Sequence, residues 1–449
     1  MTMLSGIALR EPEAPAIPPP PDSIEEAGVS PGLLGELALK TIYFAGELTG
    51  GDIAERMALP LGVVKDVLDF LTRERLCQVT GGVGTSPGTF RYALTREGVE
   101  RAAAVINLSG YSGPAPVPLH DYVNQVRRQS VRKLEVTREA IETSLAHLVY
   151  SQETLDRIGE AVSSGKATLL FGPSGNGKTT VAEALKDALQ GHVLIPYAVE
   201  VMRQVIRVFD PSVHEPVEME APRSAYDQRW LLIRRPAVLG AGELAASHLE
   251  LSLDDVYRTY EAPIQMKANG GLLIIDDFGR QQMQAAYLLN RWIVPLEQGV
   301  DNLTLHTGAR FQVPFDVIPL FSTNLEPASL ADDAFLRRIR YKVEVPNPTE
   351  ADFLEIMRRE CSRQDLEFDE GAVEYLLSKY YRRTRREMRG CHPRDIVEAI
   401  ADAARYRGAE RALTKATIDH AVTTYFLRAG PRTPKPPSGG RARMKAERG

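Results

Sequence analysis

Gly172-Pro173-Ser174-Gly175-Asn176-Gly177-Lys178-Thr179 is the stretch of this sequence whose chemistry is plainest. Its glycines let backbone amides curl around an anion, its lysine supplies a point charge, and its threonine hydroxyl suits a hard cation. The apolar run Ala167–Phe171 precedes it, and the helix-patterned segment Thr180–Leu189 follows. Strand, glycine-rich loop and helix are the setting in which such a loop cradles the phosphates of a nucleoside triphosphate such as ATP. All eight residues and Thr180 are therefore expected to bind nucleotide, with Lys178 on the β- and γ-phosphates and Thr179 on Mg²⁺.

A phosphate loop of this kind needs an acid at the end of a buried strand. Gly271-Leu272-Leu273-Ile274-Ile275-Asp276-Asp277-Phe278-Gly279 supplies two. Four consecutive apolar residues fit a strand covered on both faces. Asp276 is the expected second metal-site residue, holding Mg²⁺ through water.

These motifs resemble those of AAA+ ATPases, over about residues 151–427. The resemblance implies a parallel α/β core with a helical lid, ATP hydrolysis with Mg²⁺, and assembly as a homo-oligomeric ring, a hexamer by the same resemblance. Asp277 stands where most relatives carry Glu, and is expected to act as the base on the attacking water. Val317–Asn324 looks like the family's next core strand, with Asn324 as the sensor-1 residue beside the γ-phosphate. Asp333-Ala334-Phe335-Leu336-Arg337-Arg338-Ile339 resembles the arginine-finger segment, which acts from a neighbouring subunit. Arg338 is favoured because it directly precedes the strand-patterned Ile339–Val345, with Arg337 the alternative. Cys391-His392-Pro393-Arg394 looks like sensor 2, with Arg394 reaching back to the nucleotide. Leu303–Val313 reads as a hairpin ahead of sensor 1, as in the MoxR, Lon/Clp and enhancer-binding-activator branches. The activators' sigma-factor-binding loop is absent, so that activity is not implied.

The elements that must position these residues fall into six regions. Residues 1–32, with the run Pro18–Pro21, read as a disordered leader, and 33–107 as helix, helix, helix, hairpin, helix, the order of a winged helix-turn-helix. Residues 108–150 read as a linker and charged helix, and 151–348 as the P-loop core. Residues 349–428 read as a helical lid opened by a Thr349–Asp352 capping pattern, and 429–449 as a basic, disordered tail. The separation from Thr179 to Asp276 is long for this class, which places extra material within Phe209–Ala262. There, core packing competes with a pore-facing role for Trp230 or Leu239.

Composition limits the partners. A formal charge of −5 over 449 residues exerts no global pull on nucleic acid. Cys77, Cys361 and Cys391 show no metal-ligand spacing, which with the lack of a signal sequence or an apolar span of about 20 residues points to a cytoplasmic protein without membrane contact. Residues 33–107 carry eight Lys/Arg against nine Asp/Glu, so the winged helix is a poor DNA binder by itself, and a protein-docking role competes with DNA binding through Lys65, Arg73, Arg75, Arg91 and Arg96. Arg382, Arg383, Arg385, Arg386 and Arg389 form a second basic cluster open to nucleic acid, an acidic partner or a neighbouring subunit. The functional expectation is an ATP-driven, chaperone-like remodeller of a protein or protein–nucleic-acid client. The alternative is an ATP-gated DNA-binding regulator or a helicase-loader-like protein. The client itself is unknown.

Overall fold

In the computed structural model, the residues described are 16–82, 87–254, 256, 258–281, 283–330, 336–409 and 411–426. The expected basic tail (429–449), the first half of the leader and residues 333–335 of the finger motif lie outside them. The chain divides into two units, Met1–Pro346 and Asn347–Gly449.

The first unit is built on a five-stranded, all-parallel sheet. Its order is Ala237–Gly240, Leu272–Ile275, Ile318–Thr323, Thr168–Phe171, Tyr341–Glu344. Alternate side chains leave the sheet on opposite faces. Leu170, Leu272, Ile274 and Leu320 pack with Val181 and Leu185, whereas Leu169, Leu273, Ile275 and Phe321 pack with Leu288 and Trp292. Helices thus cover both faces, which is why the inner strands read as unbroken apolar runs. The expected fold class, an α/β P-loop core with a parallel sheet and a helical C-terminal region, is the one observed.

Ala237–Gly240 is the outer strand of the parallel sheet, and Trp230 is buried in a hydrophobic core, the packing role weighed against a pore-facing one. Two expectations need correction. Residues 108–150 are more than a linker: Val117–Pro118 pairs in parallel with Val199–Glu200, and Tyr122 of the following helix is fully buried. That pairing completes a second sheet, ordered Ser252–Asp254, Thr259–Glu261, Gln204–Arg207, Ala198–Val201, Val117–Pro118.

Residues 16–32 are also ordered, contrary to a disordered leader. Ser23 caps the turn Ile24–Ala27, the Pro18 carbonyl accepts from the Asp227 amide, and Ala27 is fully buried. The reason is a polar anchor that proline-rich composition conceals. Arg229, 2% exposed, holds Asp227 through a 2.7 Å ion pair and donates to the carbonyls of Ala27 and Pro116. A buried guanidinium is tolerated only when its donors are filled in this way.

The N-terminal part places Pro31–Ala45, Gly50–Met57, Leu61–Arg73 and Arg96–Leu108 around a three-stranded antiparallel sheet, Glu47–Thr49, Phe90–Leu94, Cys77–Gly82. The Glu47–Thr49 strand was not expected, being three residues long, and the second helix is capped by Thr49, with Asp52 completing the box. In the second unit, Glu350–Arg363 opens with the expected Thr349–Asp352 capping box. Glu370–Leu376 runs into a π-helical stretch, Leu377–Arg382, and Cys391–Arg407 and Lys415–Tyr425 follow. Their shared core includes Phe353, Met357, Ile396, Ile400 and Ile418.

Lys40 gives a testable cost. It is 2% exposed and donates to the Ser109 carbonyl at 3.1 Å, and burial pulls its ammonium down to about 8 against the opposing Glu36 charge. A lysine depressed in the folded state destabilises fully below that value, and the penalty is relieved as pH rises from about 8 toward the unfolded value. Lys40→Met is therefore expected to raise the denaturation midpoint at pH 7, by an amount on the order of 2 kcal/mol. Its advantage over wild type should shrink above pH 8 in pH-dependent urea melts.

Candidate nucleotide site

The loop between Phe171 and Lys178 has the backbone its glycines imply. Gly172, Gly175 and Gly177 have φ of +136°, +85° and +80°, a region that side chains other than glycine's rarely enter. At Gly172 the fit is closest, because a Cβ there would stand 2.4 Å from the Val345 carbonyl oxygen. The loop is pinned from two sides. Asn176 Nδ2 donates to the Pro346 carbonyl at 3.0 Å, and the Tyr150 hydroxyl donates to the Asn176 carbonyl at 2.6 Å. Burial pushes the Tyr150 hydroxyl well above its ordinary pKa, so it stays a donor. Sequence reading missed Tyr150, which lies just ahead of the helix Gln152–Ser163 and in no motif.

Lys178 and Thr179 open the helix Lys178–Ala184, shorter than the expected Thr180–Leu189 because it tightens to a 3₁₀ turn at Leu185–Ala188. The Lys178 ammonium is folded onto the loop, donating to the carbonyls of Gly172 and Pro173 at 2.9 Å each. Ser174, in the loop, and Thr180, in the first turn of the helix, are exposed.

Parallel pairing brings the other half of the site alongside. Ile275 is in register with Phe321, and Thr323 with Phe171, so the C-terminal ends of three strands lie together. This is the edge at which open α/β sheets hold ligands. Thr179 Oγ1 donates to Asp276 Oδ2 at 2.8 Å, joining residues 97 apart in sequence. A hydroxyl and a carboxylate are hard oxygen donors of the kind Mg²⁺ takes when it keeps several waters and is held largely by phosphates. Among the described residues no group of three or more His, Cys, Asp or Glu is placed to hold a metal ion by itself.

The turn after Asp276 is fixed by main-chain bonds. Asp276 N donates to the Gly240 carbonyl at 3.0 Å, and Phe278 N to the Ser322 carbonyl at 2.7 Å. Thr323 Oγ1 donates back to the Phe278 carbonyl at 2.8 Å. Asp277 is exposed at the apex with φ +48°, left-handed. Aspartate visits that region more readily than most residues. Asn324 follows Thr323 directly, and its Oδ1 is buried with no hydrogen-bond partner. Gln281, also unnoticed in the sequence, donates from Nε2 to the Asp276 carbonyl at 3.0 Å.

The arginines are placed differently from one another. Arg338 precedes the strand by two residues more than expected, since pairing starts at Tyr341, and its Nε donates to Glu297 Oε1 at 2.7 Å. Arg337 is exposed. Arg394 belongs to the second unit, on the helix Cys391–Arg407, which starts two residues before Pro393, and it pairs with the neighbouring Asp395 at 3.1 Å.

Residues 349–424 match the model of a family described only as a domain of unknown function, DUF8689. No curated protein matches the chain. Among solved structures, a point mutant of RuvB from Thermotoga maritima is similar at 16% identity, over 66% of this chain and 72% of that one, with a TM-score of 0.34. The T. maritima structure described as the RuvB Holliday junction branch migration motor is similar at 16% identity, over 66% and 72%, with a TM-score of 0.33. NtrX from Brucella abortus is similar at 13% identity, over 61% of this chain and 56% of its own, with a TM-score of 0.38. Likenesses of this size speak to neither activity nor partner.

Gly172→Ala tests the loop geometry. The added methyl meets Val345 backbone at 2.4 Å, so the loop must shift. The variant is expected to lose about 1–3 kcal/mol in thermal melts and to lose nucleotide binding with it. Gly62→Ala, where a Cβ meets nothing within 4 Å, is the matched control and should lose neither.

Proposed function

We propose that this chain is an AAA+ ATPase that binds ATP with Mg²⁺ at the Gly172–Thr179 loop and hydrolyses it. The observation that carries the reading is the 2.8 Å contact of Thr179 with Asp276, at the loop end of the parallel sheet. In this reading Lys178 leaves the Gly172 and Pro173 carbonyls for the β- and γ-phosphates, and Thr179 and Asp276 hold the metal directly and through water. Mg²⁺ there would neutralise charge on the phosphate oxygens as the terminal bond breaks. Asp277 takes the proton of the attacking water and Asn324 helps to place it. Gly175, Asn176, Gly177 and Thr180 complete the nucleotide-binding set.

The chain works as a homo-oligomeric ring, of six copies in our proposal. Arg337 or Arg338 of one copy completes the site of the next, and Arg394 is carried as the nucleotide-sensing arginine on its motif alone. Arg337 suits the finger by its exposure, because Arg338 is engaged with Glu297 at 2.7 Å. The output is remodelling of a protein or protein–nucleic-acid client in the cytoplasm. No helix of the described residues is long and apolar enough to cross a membrane.

The N-terminal part, read as a winged helix, supports protein docking over DNA binding. Lys65 pairs with Asp69 at 2.9 Å, Arg91 with Glu47 at 3.1 Å and Arg96 with Glu100 at 3.3 Å, so these three of the cations expected to meet phosphates already face carboxylates, whereas Arg73 donates to the Asp69 main-chain carbonyl at 3.3 Å. Of the second basic cluster, Arg382 pairs with Glu350 and Glu374, and Arg386 lies 3.6 Å over the Phe426 ring. An ATP-gated DNA-binding regulator or helicase-loader-like protein is the alternative that DNA stimulation would favour.

Steady-state ATPase of wild type, Lys178→Ala, Arg337→Ala and Arg338→Ala, with and without duplex DNA across protein concentration, tests the proposal. Lys178→Ala and one arginine variant should each fall by about 100-fold or more, with wild-type rate rising faster than linearly with concentration and indifferent to DNA. A wild type without turnover overturns the hydrolysis reading. A strictly linear dependence with both arginine variants active overturns the ring.

A further inference from the structure

We infer that Gln281 is a water-positioning residue of this site, its Oε1 accepting a hydrogen bond from the water that attacks the terminal phosphate. The inference rests on the ATP-hydrolysis reading above and names how the attacking water is held.

Three observations carry it. Gln281 is 9% exposed, although it lies in the turn beyond a strand end, where a glutamine is ordinarily solvated. Its amide is fixed by Nε2 donating to the Asp276 carbonyl at 3.0 Å, which also settles which end is oxygen. By the covalent geometry of an amide, Oε1 then lies no farther than about 5 Å from that carbonyl oxygen. That Oε1 is buried with no partner, a condition native chains seldom leave without a use.

The second such oxygen nearby is Asn324 Oδ1, one residue beyond Thr323, whose hydroxyl bonds Phe278 in the same turn. Among the described residues, only Gln265 shares the condition of a buried, unpartnered side-chain carbonyl. Each idle acceptor calls for a donor, and a water carries two O–H groups. Asp277, exposed and one methylene shorter than glutamate, is a base that gains from a second group fixing the water. In the step, the water oxygen bonds to the γ-phosphorus and the bond to the bridging β–γ oxygen breaks. ADP leaves with that electron pair, one water proton goes to the Asp277 carboxylate, and the remaining O–H stays hydrogen-bonded to Gln281 Oε1.

Gln281→Met keeps the length and removes the acceptor, and Gln281→Glu keeps an acceptor oxygen. Each is measured by kcat and KM for ATP, and by the thermal-shift increments given by Mg·ADP and by Mg·ADP with fluoroaluminate, which mimics the transferring phosphoryl group with its water. The expected result for Gln281→Met is a kcat lowered about 10-fold or more, an unchanged KM and an unchanged ADP increment, with most of the additional fluoroaluminate increment lost. Gln281→Glu should keep more of the turnover than Gln281→Met. A Gln281→Met protein with wild-type kcat and both increments intact overturns the inference. So does one whose ADP and fluoroaluminate increments fall together, because that marks a merely structural role. A wild type that gains no stability from Mg·ADP instead overturns the nucleotide-site reading itself, and this inference with it.

Discussion

The strand Ile318–Thr323 is the piece on which the site depends. It pairs in parallel with the phosphate-loop strand on one edge and with the Asp276 strand on the other. The shared register brings the ends of these three strands to one level, which sets Thr179, beyond the phosphate-loop strand, against Asp276. The same strand also ties down the turn that carries Asp277, through Ser322 and Thr323. Apolar burial on both faces makes this placement stiff, since Leu320 and Phe321 are anchored in opposite cores.

The site in turn concentrates features that ordinary folding would avoid. Asp277 sits in the left-handed region, which costs on the order of 1 kcal/mol. Asn324 and Gln281 each leave a buried oxygen without a partner. Lys178 is largely buried and bonded to two neutral carbonyls. Strain and under-used hydrogen-bonding capacity gathered at one sheet edge are what a ligand carrying many oxygens and a metal with its waters would relieve.

What could be read in advance was what lies contiguous in sequence. The eight-residue loop, the Ile275–Asp276 strand end and Asn324 are each announced by an apolar run followed by polar residues, so local pattern suffices. The second sheet could not be read that way. Its strands are two to four residues long, too short for a period to show, and Val117–Pro118 finds its partner only through distant Val199–Glu200. Ala237–Gly240 was not foreseen as a strand because a four-residue outer strand with alanine and glycine carries little strand signal. The leader misled through its prolines, whereas what orders it is a buried Arg229 two hundred residues away. Tyr150 and Gln281 each act by a single side-chain hydrogen bond to a main-chain carbonyl, which no spacing pattern reveals.

The most direct test of the central claim is calorimetric titration of the wild-type chain and Lys178→Ala with ATP, ADP and adenosine, each with and without Mg²⁺. The account predicts one saturable site per wild-type chain for ATP and ADP, strengthened by Mg²⁺, closed to adenosine and abolished or severely weakened by Lys178→Ala. Absence of ATP binding to wild type would contradict it. Binding that adenosine shares, or that the loss of Lys178 leaves intact, would contradict it equally, because the phosphates would then not be what this loop holds.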